Sequence, residues 1–408
     1  MAGLKDSVAL TALRIAGHVA LERLRPALAR SAADVPSSVD ALTPAWWTAV
    51  MCAGHPRAKV LAFDTLASSS GTHQRHRFVL TYNDAGHAAR LPLSVFTKTL
   101  PNVMTRMIGG YNGTARAEGR FYRDLRPALK IESPYGYHSA FDRRSLAGIN
   151  VLEDIVATRG ARFCDAHTYV TRDMAESMVD LLAQLHAHAY ADQRLDQEWR
   201  WLANFADWFE IGARKMGTER YTGQAIRRMA DRLPAKLVKR ADQIWPATLA
   251  ANAIHRQGPR GLLHSDVHIG NWYRHGKGAM GLYDWQCVAQ GHWSRDVAYA
   301  LSAALTIEDR RAWERALLAR YLETLSTLAD IYIDTSSAWD HYRRQMLHAL
   351  WMWTITLCHS RWLPAMQPAA TAMAMIERIA TAVDDLDSLN TIGRGPQARP
   401  STALPRIK

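Results

Sequence analysis

Cysteine is scarce: the 408-residue chain has four, Cys52, Cys164, Cys287 and Cys358. They stand far apart, form no C-x-x-C pair and show no Cys/His spacing of a zinc site. In a chain this long that pattern excludes a disulfide scaffold and reads as reduced, buried thiols in a reducing compartment. Long hydrophobic runs are missing as well. A bilayer span needs about 20 consecutive apolar residues, and the nearest stretch, 347–357, is closed off by His359, Ser360 and Arg361. A signal-peptide pattern is absent, because the short apolar stretch 8–13 runs into Arg14 without a small-residue cleavage site. A cytoplasmic location is the expectation. No internal repeat is visible. The 48% hydrophobic share excludes a mostly disordered chain, and 22% charged residues of both signs, interspersed, exclude a polyelectrolyte.

What is present is an excess of base. Lys and Arg total 50 against 38 Asp and Glu, a net charge of +12. Such an excess favours anionic partners such as nucleotides, nucleic acid or acidic lipid, or simply keeps a scattered basic surface soluble. Nucleic-acid binding needs clustered basic residues with interleaved aromatics, and no such cluster occurs, so nucleic acid is not expected as a partner. The length suggests two or three packed units.

Apolar periodicity predicts a helix over 4–30, made basic by Lys5, Arg14, Arg23, Arg25 and Arg30. It could lie on a membrane surface, but packing on the protein is the favoured reading. A linker, 32–38, follows. Thr43-Pro44 opens a second helix running to Gly54. Strands are expected over 60–65, 77–82, 93–100 and 149–155, with turns at 68–72 and 83–86 and a helix over 114–128. Beyond about residue 170, helices dominate: 172–190, 199–216, 222–242, 296–306, 308–329, 338–361 and 368–387. One polar island, 261–292, interrupts them. Residues 390–408 are expected to be disordered.

The island holds His264-Ser265-Asp266-Val267-His268-Ile269-Gly270-Asn271 and Gly281-Leu282-Tyr283-Asp284-Trp285-Gln286. Asp266 precedes Asn271 by five positions and Asp284 by 18. Phosphoryl transfer from ATP needs a carboxylate to orient or accept the proton of the attacking hydroxyl, and oxygen ligands for Mg²⁺. Asp266 would be that base, with Asn271 and Asp284 the metal ligands. His264 and His268 are four apart, but they sit on a loop without a third ligand. They read as orienting the loop rather than binding metal.

This motif resembles the catalytic loop of the kinase-like small-molecule phosphotransferases, the aminoglycoside phosphotransferase and choline kinase superfamily. The ecdysteroid-kinase-like group is most similar. The resemblance extends over Phe96-Thr97-Lys98-Thr99-Leu100-Pro101, Glu118 with Phe121-Tyr122, Leu152-Glu153-Asp154, Leu182–Ala187 and Trp293–Tyr299, roughly residues 43–385. It implies an α+β, bilobal protein-kinase-like fold. A small β-rich N-terminal lobe, 37–155, would carry the nucleotide, and a large helical lobe, 156–389, the catalytic loop 264–271 and the metal-binding segment 281–286. Residues 1–36 would precede them as helix and linker. Lys98 would hold the α- and β-phosphates, and Glu118 would hold Lys98. Ser70 and Gly71, in the 68–72 loop, would cover the phosphates, although the full G-x-G-x-x-G pattern is absent. Residues 151–155 resemble the interlobe hinge that meets adenine through backbone groups, and Asp296 the helix aspartate that braces the catalytic loop. Ser265 stands where the family commonly has glycine. The absence of Phe-Gly after Asp284, and of an Ala-Pro-Glu segment, argues against a protein substrate.

The expected cofactors are therefore ATP and Mg²⁺, and the expected acceptor is a small-molecule hydroxyl. Trp339, Trp351, Trp353 and Trp362 with Met346, Met352 and Met366 would suit an apolar alcohol such as a sterol, terpenoid or macrolide-like compound, or would simply be helical core. Alternatives are a nucleotide-binding pseudokinase scaffold and an aminoglycoside- or choline-type kinase with a cationic acceptor. The sequence leaves the oligomeric state open.

Overall fold

A computed structural model describes residues 2–25, 27–70, 73–360 and 365–392. The chain divides into two compact units. The first gathers residues 1–168, 193–203 and 262–290, the second 169–192, 204–261 and 291–408. A sheet early in the chain and mainly helices later make it a mixed α+β protein, the class expected.

The first unit is built on a five-stranded antiparallel sheet in the order β1-β2-β3-β5-β4. Its strands are β1 (Val60–Ser70), β2 (Gln74–Tyr82), β3 (Ser94–Thr99), β4 (Gly136–Phe141) and β5 (Gly148–Glu153). Alternation sorts its side chains between faces. Phe78, Leu80 and Tyr82 from β2 share one face with Val95 from β3 and with Ile149 and Val151 from β5. Helix α2 (Pro44–Met51) covers that face with Trp46 and Trp47, both fully buried. Thr43 starts α2 by accepting the Trp46 N–H at 3.1 Å, ahead of Pro44 at the first position. The other face carries Lys98 and Asn150, which are register partners. Helix α1 (Ala2–Leu24) packs through Ile15 and Val19 against Leu146, Met107 and Phe141.

Local details depart from the expected pattern. Ser68, Ser69 and Ser70 pair with His76, Arg75 and Gln74, so β1 runs through most of the expected 68–72 turn. Gly71 and Thr72 lie outside the described residues. The 83–86 turn is a helix cap: Asn83 Oδ1 accepts the Gly86 N–H and opens α3 (Asp84–Ala88). Helix α4 (Thr114–Arg120) is shorter than expected and continues as a wider π turn over Phe121–Leu125. Strand β4 went unforeseen because every one of its residues is half-buried, which leaves no apolar alternation to read.

The island forms short strands. A two-residue strand, β6 (Arg162–Phe163), and β7 (Gly261–Leu263) precede β8 (Trp272–Arg274) and β9 (Met280–Leu282), and β6, β8 and β9 form a small sheet. In the second unit, α5 (Arg172–Ala187) buries Met174, Met178, Leu181, Leu182 and Leu185. It packs on α8 (Ile307–Ala329). Helix α9 (Thr335–Leu357) lies against α7 (Ser294–Ala304) and α10 (Ala369–Asp385). Trp351, Trp353 and Met346 of α9 are buried in this core, Trp351 edge-on to Phe209 of α6 (Phe205–Met216) at 4.7 Å. They are core rather than an open wall; Trp362 lies outside the described residues. Among the described residues no helix is long and apolar enough to cross a membrane. The expected tail, 390–408, begins inside an ordered 3₁₀ turn (Ser388–Thr391), and 393–408 lie outside the described residues.

Candidate active site

Strand β3 presents Lys98, only 4% exposed, to two carboxylates. Its Nζ lies 2.7 Å from Glu118 Oε1 on α4 and 2.8 Å from Asp284 Oδ1, two residues past β9. Three sequence-distant groups thus meet within the first unit. Asn150 Nδ2 donates to Glu118 Oε2 at 3.2 Å. Gly119 makes that approach feasible: a Cβ there would stand 3.2 Å from both Asn150 Oδ1 and Ser139 Cβ. Arg75, the register partner of Lys98 on β2, stands 3.7 Å from Asp284 Oδ2. Two cations and two carboxylates balance, which a buried cluster requires.

The electrostatics follow. Burial pulls the Lys98 ammonium down, but Asp284 and Glu118 more than offset it, and its pKa ends above the ordinary value. Burial likewise pushes Asp284 up, yet Lys98 overcompensates and holds that carboxyl well below the usual carboxylate range. For Glu118 burial prevails over Lys98 and raises the pKa. Lys98 and Asp284 are therefore the firmly ionised pair. His73, 2% exposed, is pushed down to about 3, first by burial and then by the positive field of Lys98.

Asp284 adopts a left-handed backbone, φ 65°, and the next residue fixes it in place. Trp285 stacks flat on Phe121, centroids 3.9 Å apart and planes within 9°, and its Nε1 donates to Ser133 Oγ at 2.8 Å. The segment bearing Asp284 is thereby clamped to the turn that follows Glu118.

The 264–271 loop is held by its own side chains. Asp266 N–H donates to His264 Nδ1 at 3.3 Å, so His264 Nε2 carries the proton and donates to Tyr283 O at 2.9 Å. Gly270 N–H donates to His268 Nδ1 at 3.1 Å, and Tyr283 Oη donates to Gly270 O at 2.6 Å. Both histidines are thus engaged in loop contacts. Ser265 adopts φ 66°, a conformation that favours glycine. Asn271 Nδ2 donates to Asp266 O at 2.7 Å and to Asp266 Oδ2 at 3.1 Å.

These residues fit a Mg²⁺ site completed by phosphates. Both Asn271 bonds to Asp266 use the amide nitrogen, so its Oδ1 remains the atom that could serve as a neutral oxygen donor. Asp284 supplies an ionised carboxylate. Mg²⁺ is usually held by one or two such protein oxygens plus substrate phosphates and water. Among the described residues no three His, Cys, Asp or Glu side chains form a ready-made metal cage.

Other expected residues fall elsewhere. Gly71 lies outside the described residues, and Ser70 is placed only by its backbone, opposite Gln74. Glu153 binds Arg159, Thr158 and the Tyr135 N–H, and Asp154 binds Arg77 and Ser94. Both are occupied in stabilising the end of β5. In the second unit Asp296 is fully buried, 3.5 Å from His186 Nε2. Arg75, Asn150 and His73 escaped the sequence reading. Arg75 and Asn150 are the cross-strand neighbours of Lys98 on either side, a relation that strand register creates and the local sequence does not carry.

A model of a phosphotransferase enzyme family matches residues 103–331, more than half of the chain. Among solved structures, a macrolide 2'-phosphotransferase from Brachybacterium faecium is 13% identical, with 82% of this chain and 98% of that one covered and a TM-score of 0.44. An aminoglycoside phosphotransferase from Alicyclobacillus acidocaldarius is 14% identical over 81% and 92%, TM-score 0.45. A choline kinase from Streptococcus pneumoniae is 14% identical over 81% and 94%, TM-score 0.40. No curated protein matches the chain.

Proposed function

Because the chain belongs to this phosphotransferase enzyme family, we propose that it is an ATP- and Mg²⁺-dependent kinase of a small-molecule hydroxyl group. The observation that carries the reading is the buried convergence of Lys98 on Glu118 and Asp284, with Asn271 tied to Asp266 beside it. Lys98 would bind phosphate oxygens while Glu118 and Asn150 keep its ammonium in place. Asn271 and Asp284 would hold Mg²⁺, which when bound neutralises phosphate charge. Asp266, half-buried, would orient the acceptor hydroxyl and take its proton. Backbone groups of 68–72, Ser70 and Gly71 included, would cover the phosphates, and those of 151–155 would meet adenine. The lobe division at 155 and the bracing role of Asp296 belong to the same reading.

The ecdysteroid-kinase-like subgroup is supported by the ordered motifs from Lys98 to Tyr299, and a cytoplasmic location by four cysteines that form no disulfide among the described residues. Core burial of Trp351, Trp353 and Met346 removes three of the seven residues that would favour an apolar acceptor, while Trp339 and Met352 are half-buried and Met366 is exposed. The acceptor is therefore defined by its hydroxyl alone.

The test is turnover of ATP·Mg²⁺ with a library of apolar alcohols, aminoglycosides and amino alcohols, read by mass gain of a phosphate. Wild type phosphorylates one class, and Asp266→Ala slows turnover by about 10²- to 10⁴-fold with an unchanged melting profile. Undiminished turnover by that variant removes Asp266 from the mechanism. Nucleotide binding without turnover of any acceptor would favour a scaffold instead.

A further inference from the structure

Helix α1 has two apolar sides, and the fold uses one. Ile15 is fully buried and Val19 5% exposed where the helix docks. Glu22 adds an ion pair to the buried Arg106 on the same side. On the far side Leu10, Leu13, Leu21 and Leu24 are 67%, 70%, 57% and 80% exposed. At 100° per residue these four leucines and Gly17 fall within one arc of about 80°. Four large apolar side chains aligned on one exposed helix face are more than the isolated exposed leucines of an ordinary surface.

The charge beside this stripe identifies what covers it. Arg14 and Arg25 flank one edge, and Arg23 lies beyond the other; all three are exposed and have no carboxylate partner among the described residues. The only carboxylate of the helix with a described side chain, Glu22, is committed to Arg106. Near the docked side, Arg143 and Arg144 are exposed and precede Leu146, which receives Ile15, while Asp142 of the same turn is held by Ser145 and lies in the field of His18 on α1. A leucine stripe rimmed by exposed arginines matches the interface of an anionic bilayer, apolar face in the acyl boundary and guanidinium groups among the headgroups. A second copy of the chain fits less well, because a symmetric seam would bring these arginines against one another.

We propose that the exposed face of α1 is a peripheral docking surface for anionic lipid. The docked side, Ile15, Val19 and Glu22, ties that surface to the sheet-bearing unit.

Flotation of the full chain with vesicles tests this, comparing phosphatidylcholine alone with phosphatidylcholine mixed with phosphatidylserine. The chain floats with the mixed vesicles, and less so as salt is raised. Leu10→Ser with Leu21→Ser, at exposed positions, abolishes flotation without changing the melting profile. Arg14→Ala with Arg25→Ala weakens it about thirty-fold. Light scattering is measured on the same samples. Failure of the wild type to float, or flotation unchanged in both variants, overturns the proposal. A dimer that the leucine variants convert to monomer overturns it as well, making the stripe a seam between copies.

Discussion

A single backbone angle shows how the 264–271 loop departs from its easiest solution. Ser265 sits at φ 66°, where a side chain costs about 1 kcal/mol or more and glycine costs little. Asp284 sits at φ 65°. There the carboxylate binds the buried Lys98, so glycine offers no substitute. Strain concentrated beside functional groups persists when surrounding contacts over-determine it. Here those contacts are the His264 bridge to Tyr283 and the stacking of Trp285 on Phe121. Ser265→Gly is expected to raise unfolding stability by about 1 kcal/mol in denaturant titrations. A loss of stability would mean that the serine side chain contributes more than its backbone costs.

Among the elements, α2 does the most for the sheet. Its eight residues fill one sheet face with two adjacent indoles, rings 5.0 Å apart, and Trp47 stands edge-on to Phe78 at 5.3 Å. That buried face keeps β2, β3 and β5 in one register, and with them the alternation that turns Lys98 and Asn150 to the opposite side. Trp47→Ala is expected to cost about 3–5 kcal/mol, measured as a shift in denaturant midpoint at constant slope. A cost below about 1 kcal/mol would show that the sheet holds its register without the helix.

Across the whole molecule the buried histidines set the acid limit. His255, His292 and His348 in the helical unit are held well below the ordinary histidine value by burial first, and after it by neighbouring histidines at His255 and His292 and by Arg295 at His348. His73 lies at about 3 in the other unit, again mainly through burial. All four are neutral when folded, whereas the unfolded chain protonates them near pH 6.5. Their contribution is therefore fully present above about pH 6.5 and is lost as pH falls towards the folded values. The loss is about 1.4 kcal/mol per pH unit for each histidine still neutral in the fold. Asp284, with its lowered pKa, adds a further loss below about pH 4. Unfolding free energy should thus fall steeply between pH 6.5 and 5, with proton uptake on unfolding. His348→Gln should lessen the slope. A flat profile across that window would mean that these rings are charged in the folded protein.

The sequence alone determined what is local or periodic. The 3.6-residue pattern of 172–187, the Thr43-Pro44 helix start and the strands around Phe78 and Lys98 were legible because adjacent residues create those signals. The Asp266, Asn271 and Asp284 set could be proposed as one site from the sequence because its members lie close together in the chain. Only the tertiary structure decided which groups share a site. Asn150 and Arg75 become neighbours of Lys98 through strand pairing, a relation between residues far apart in the chain. The Trp and Met residues of α9 looked alike for wall and core, since apolar side chains carry no mark of which surface they will bury; packing put Trp351, Trp353 and Met346 inside. The same ambiguity applies to α1, whose leucines stand outside because one helix offered two apolar sides and the fold had room for one.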